Sequence, residues 1–146
     1  MSETVRTKHG DLSLEQIADA LPGTGDLMAS VGDSWWRCAY AGRGGNWPLA
    51  AYFARRVRGT SRKLAILRPK YAERIADFEG VQLAGVFAAI ESRDPARFER
   101  AFAEATDAAN RNHVETGYAY IRWVLPEVPP RDLDLSPWPV ASPTTL

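Results

Sequence analysis

At 146 residues the chain is one domain of ordinary size, long enough to bury a core without disulfides or structural metal. Its single cysteine, Cys38, excludes an intramolecular disulfide and any multi-cysteine metal site. Eighteen basic residues balance eighteen acidic ones, so no net field draws the chain to nucleic acid or an anionic membrane, and neither is expected as a partner.

Three segments are expected: a flexible N-terminal tail (1–12), a helical domain (13–125) and a proline-rich tail (126–146). The first residues, from Met1 to His9, lack the apolar run of a secretory signal, and no stretch has the length of a membrane span. The expected location is therefore the cytoplasm. Residues 1 to 11 are polar and read as loose, with no strand pattern. Ser13-Leu14-Glu15-Gln16 has capping-box spacing and starts a short helix that Pro22-Gly23 ends.

The first long helix is expected from Thr24–Asp26 to about Ala41. At roughly 100° per residue, Leu27, Met28, Val31, Trp35, Cys38 and Gly42 form its core stripe. Trp36 and Tyr40 fall on another face and need a second surface to cover them, a neighbouring helix first, or else a ligand or a partner subunit, in which last case this face carries a homodimer contact. The glycine-rich break at 41–45 has no Lys-Ser/Thr after it and no strand before it, so it is not a phosphate loop. Asn46 then caps a second helix with Pro48 in its first turn, and Leu49, Phe53, Val57, Thr60, Leu64 and Leu67 line one side. Arg55, Arg58 and Arg62 lie opposite, as a solvated face or an anion or partner site.

Arg68-Pro69 ends that helix. In the third helical pattern Tyr71, Ile75, Gln82, Val86, Ala89 and Ile90 share a stripe, with a kink or split expected at Glu79-Gly80. Asp94-Pro95 opens a fourth helix on which Phe98, Phe102, Ala105, Ala109, Asn112 and Thr116 face inward, with His113 at the margin. Gly117 stops it. Beyond it the chain packs back over the helices, and the tail with its six prolines is extended or disordered, with Trp138 as an anchor. Four helices with short connections and one apolar stripe each predict an all-α, antiparallel four-helix bundle.

His113 is the one histidine outside the N-terminal tail, near a helix C-terminus where its ring serves as a cation, a base or a metal ligand. A carboxylate di-metal site is excluded, because Asn110 stands where Glu-x-x-His needs its glutamate and no second such motif exists. A Cys38–His113 nucleophile pair conflicts with the core position of Cys38.

Trp35-Trp36-Arg37, Tyr40-Ala41, Gly45-Asn46-Trp47-Pro48-Leu49-Ala50, Arg68-Pro69, Asp94, Phe98 and the run from Asn110 to Tyr118 together resemble a group of small bacterial helical-bundle proteins. Many of that group end in Cys-Asn-x-Cys-His, the attachment motif of c-type haem. The resemblance spans about residues 14 to 126 and implies that His113 stands where the family's haem iron ligand would be. The two attachment positions are Ala109 and Asn112 in this chain, so thioether bonds are excluded and any haem would be held non-covalently.

Three functional readings follow. The first is a bundle binding a small apolar or aromatic ligand, haem included, near His113, with Met28, Trp35, Tyr40, Trp47, Phe102 and Tyr118 as the candidate ligand-binding residues. The second is an interaction module or accessory subunit using Trp36, Tyr40 and the arginine face. The third is an enzyme with His113 as acid or base, assisted by Glu115, Tyr118 or Tyr40.

Overall fold

The computed structural model describes residues 3–139, so the last seven positions of the proline-rich tail and the first two of the N-terminal tail lie outside it. The chain is mostly helical, with one small sheet. That sheet corrects the expectation of a loose N-terminus. Strands β1 (Thr4–Thr7) and β2 (Gly10–Ser13) pair antiparallel, with Val5 opposite Leu12 and Thr7 opposite Gly10. Gly10 takes the turn's positive φ of 132°, and the Thr7 hydroxyl donates to its carbonyl at 2.8 Å while accepting from His9 N. Four-residue strands that bury neither face leave no alternation for a sequence to display.

Helix α1 (Leu14–Ala20) begins with the predicted capping box: Gln16 N donates to Ser13 Oγ at 3.0 Å, and Ser13 N to Gln16 Oε1 at 2.9 Å. Helix α2 (Thr24–Arg43) buries Leu27, Val31, Trp35, Cys38 and Gly42 as its stripe requires, with Met28 half-buried beside them. It runs through Gly42, past the expected stop, because a ring rather than a turn occupies the space there. A Cβ on Gly42 would lie 2.2 Å from Phe98 Cε1. The turn proper falls at Gly45, with φ 79°.

Helix α3 (Trp47–Leu67) is capped by Asn46, whose Oδ1 accepts from Leu49 N at 3.2 Å. Phe53, Val57 and Leu64 are buried along it. Next come a 3-10 turn (Pro69–Tyr71), α4 (Ala72–Phe78), a π-turn (Glu79–Leu83) and α5 (Ala84–Ser92). The predicted break at Glu79-Gly80 takes the form of the π-turn, which departs from the regular helical period over Glu79–Leu83, while Val86, Ala89 and Ile90 beyond it are buried as expected. Leu83 is therefore fully buried, and Gln82, placed on the core stripe by the regular period, is only half-buried.

Helix α6 (Pro95–Glu115) is capped by Asp94, which accepts from Ala96 N and Arg97 N. It ends at Gly117 (φ 92°), where Gly117 N donates to Val114 O and Tyr118 N to His113 O, the paired bonds of a left-handed helix stop. Aromatic rings fill the centre. Trp35 stacks on Phe102 at 4.2 Å between centroids, and Phe98 packs against Phe102 and edge-on to Trp47.

Residues 118–139 form no regular element but lie across α2 and the start of α3. Tyr40 Oη donates to Pro126 O, Arg37 pairs with Asp132 at 3.0 Å, and Asn46 Nδ2 donates to Asp134 O at 3.2 Å. Leu133 and Leu135 pack against the core and Pro130 is buried, whereas Trp138, the expected anchor, is 56% exposed among the described residues. The second surface that Trp36 and Tyr40 require is thus supplied by the chain's own tail. Both rings are half-buried. No described helix is long and apolar enough to cross a membrane.

Candidate ligand cavity beside His113

The N-terminal turns of α2, the second half of α3, Tyr71 with α4, the end of α6 and residues 118–123 converge on a cavity of about 230 Å³. Apolar side chains make most of its wall: Met28 and Val31 from α2, Val57 and Leu64 from α3, Ile75 and Phe78 from α4. Ile121 and Trp123 close the side that the helices leave open. The polar side chains are Thr24, Ser61, Tyr71, Asn112, His113, Thr116 and Tyr118, together with Arg74.

His113 reaches this cavity because α6 carries it to the last turn, where the inward stripe meets the returning chain. Its Nδ1 lies 2.9 Å from Ile121 O. A carbonyl only accepts, so Nδ1 carries the hydrogen, and in the neutral ring Nε2 keeps its lone pair. The ring also sits edge-on to Trp123, with centroids 5.5 Å apart. One helical turn earlier, the Asn110 amide fixes the same segment. Trp123 N donates to Asn110 Oδ1 at 2.7 Å and Asn110 Nδ2 donates to Trp123 O at 3.1 Å, as a neighbouring strand would. The irregular wall thereby has its backbone groups satisfied without a sheet.

At the rim Arg74 pairs with Glu115 and donates to Asn112 Oδ1 at 3.4 Å. Tyr118 lies beside Tyr71, whose phenol raises the Tyr118 pKa from its ordinary value.

Of the residues singled out from sequence, Met28, His113 and Tyr118 line the cavity, as do the two former-cysteine positions, Ala109 and Asn112. The other four do not. Trp35 and Phe102 stack in the core, and the Trp35 indole donates to Thr106 at 2.9 Å. Trp47 is buried against Phe98, and Tyr40 is spent on the Pro126 carbonyl. Trp35 and Trp36 instead border a second cavity of about 170 Å³ beneath Leu125 and Pro126. Glu115, a candidate assistant to His113, is engaged with Arg74. Sequence reasoning passed over Arg74 and Trp123 as site residues, and it noted Asn110 without the part it plays in holding Trp123. Tyr71, Arg74, Ile75 and Phe78 do carry a signal, a spacing of three, four and seven residues on one helical face.

Cys38 is fully buried, its Sγ 3.4 Å from Ala50 O, and burial pushes the thiol up to about 12. It is no nucleophile at neutral pH, which removes the Cys38–His113 pair. Among the described residues no group of three or more His, Cys, Asp or Glu side chains could hold a metal ion. No protein-family model matches this chain, and no curated protein or solved structure shows significant similarity to it.

Proposed function

We propose that the chain is a ligand-binding protein in which α2, α3, the interrupted α4–α5 and α6 act as an antiparallel four-helix bundle. The cavity at one end takes a small, mostly apolar molecule that meets Nε2 of His113. One observation carries this reading: apolar walls surround a single imidazole whose Nδ1–H is already committed to Ile121 O, leaving the other ring nitrogen for a guest.

Haem is the particular guest suggested by the sequence resemblance, and the donor chemistry fits it. The imidazole is oriented by a second hydrogen bond, and the walls are apolar, as a macrocycle requires. His113 would hold the iron, while Ala109 and Asn112, facing the same space, offer no sulfur for a covalent link. Bound there, haem would supply an iron centre for electron transfer or for binding a small gas. The chain's own residues would bind and orient: Ile121 and Trp123 supply apolar wall, and the Ile121 carbonyl holds the proton on Nδ1.

The test is a titration of hemin and of an uncharged aromatic probe into wild type and His113→Ala. The Soret band and probe fluorescence report binding, and acidified organic solvent is used to extract bound haem. A saturable, extractable Soret spectrum lost in His113→Ala supports haem. Saturable binding of the uncharged probe alone narrows the reading to another apolar guest. Absence of saturable binding in both titrations overturns it.

A further inference from the structure

Arg74 is the one side chain of fixed charge that lines the cavity, and no carboxylate lines it. A guanidinium at the edge of an apolar chamber is not required by the fold. Its partner Glu115 lies outside the lining, and the pair sits in water, the Arg74 side chain 40% and the Glu115 side chain 54% exposed. Exposed pairs of this kind are worth little and exchange readily. Only Nη1 of the guanidinium is engaged among the described residues, by Glu115 and by Asn112 Oδ1. The rest of the donor fork, which suits a carboxylate in bidentate geometry, is uncommitted.

We infer that the guest is an amphipathic carboxylate, with its apolar body against Met28, Leu64, Ile75 and Phe78 and its carboxylate on Arg74 in exchange with Glu115. This rests on the reading of the cavity as a ligand site and names the chemical class it selects. Glu115 acts as an internal competitor: it occupies Arg74 when the cavity is empty and yields it when a carboxylate arrives. Two sources share this chemistry, a simple long-chain or aryl carboxylic acid and haem through its propionates.

Two matched pairs separate the charge from the apolar body: decanoate against 1-decanol, and hemin against hemin dimethyl ester. Each is titrated into the full chain at low ionic strength, into wild type, Arg74→Gln and Glu115→Gln. The acid of a pair is expected to bind about tenfold more tightly than its neutral partner. Arg74→Gln erases that difference while leaving the neutral partner's affinity in place. Glu115→Gln, which leaves the charge on Arg74 and removes its competitor, tightens the acid alone by several-fold. A preference confined to the decanoate pair identifies a simple acid, one confined to the hemin pair identifies haem, and either supports the inference. Neutral members binding as well as the acids, or a preference that survives Arg74→Gln, overturns the carboxylate assignment and leaves the cavity reading standing. If no member of either pair binds, this inference is overturned, and the uncharged aromatic probe decides the cavity reading separately.

Discussion

Gly42, in the last turn of α2, and Gly59, in the middle of α3, are both helical, yet alanine at the two sites is expected to shift stability in opposite directions. At Gly42 the added methyl would meet Phe98 Cε1 at 2.2 Å, Cζ at 2.4 Å and Cδ1 at 2.7 Å, against an ordinary carbon–carbon contact of about 3.5–4.0 Å. The ring must withdraw by more than about 1 Å. It has nowhere to go, being 1% exposed and set between Trp47 and Phe102 at centroid distances of 5.6 and 5.7 Å. Overpacking of this sort costs about 1–3 kcal/mol, from which the helix preference for alanine over glycine returns about 1 kcal/mol. Gly42→Ala should therefore lose up to about 2 kcal/mol net. At Gly59 nothing lies within 4 Å of the added atom, so only the propensity remains and Gly59→Ala should gain up to about 1 kcal/mol. Urea unfolding followed by far-ultraviolet dichroism measures both, with equal slopes required for the comparison. A Gly42→Ala protein as stable as Gly59→Ala would refute the claim that α2 and α6 meet through this glycine. Phe98→Leu should cost less in the Gly42→Ala background than in wild type, because it returns the space the methyl takes.

Asn110→Ala removes two half-buried hydrogen bonds to Trp123, at about 1 kcal/mol each. The Trp123 amide should then exchange with solvent faster by hydrogen-exchange NMR, and an unchanged rate would mean that other contacts hold the cavity wall. Asn46→Ala should lower stability by about 1 kcal/mol through loss of the α3 cap, measured from the urea midpoint. Cys38 should resist a thiol-specific disulfide reagent at pH 8 until denaturant is added, and stoichiometric labelling of the native protein would contradict its burial. Arg62 holds the Glu79 carboxyl below the usual range, so the stability this pair contributes is present above the unfolded-state value and fades as pH falls through the folded one. Glu79→Gln should flatten the decline in unfolding midpoint below about pH 4.5, modestly and less at high salt given the exposure of Arg62; a curve parallel to wild type would deny the pair any role.

What could be read in the sequence is what is decided within one turn of chain. The caps at Ser13, Asn46 and Asp94 and the stop at Gly117 are local contests for a few amide and carbonyl groups, and their side chains settle them. The burial of Leu27, Val31, Trp35 and Cys38 likewise follows from a regular helical period. The period failed where the helix itself was irregular, at the π-turn that exchanges Gln82 for Leu83. It was also silent for the β1–β2 hairpin, whose strands bury no face. The cavity was half legible. His113 and Met28 lie on helices whose inward faces could be drawn, but Ile121 and Trp123 belong to a segment without period, positioned by Asn110 and His113 across the gap. Trp35, Trp47 and Phe102 were grouped with the site because aromatic content does not distinguish a wall from a core, a distinction that depends on which rings stack on one another.

The returning segment is held mainly through its main chain. Asn110 grips both backbone groups of Trp123, His113 the carbonyl of Ile121, Tyr40 that of Pro126 and Asn46 that of Asp134. These grips do not read the identity of the residue they hold. Tyr120 and Val124, 81% and 75% exposed, should accept almost any replacement without moving the wall they belong to. The spelling of this stretch is consequently free at its surface, while intolerance to substitution is written into α2, α3 and α6, in residues distant from it along the chain. In a saturation scan the least permissive positions governing the path of residues 118–135 should be Tyr40, Asn46 and Asn110, none of which lies in that path.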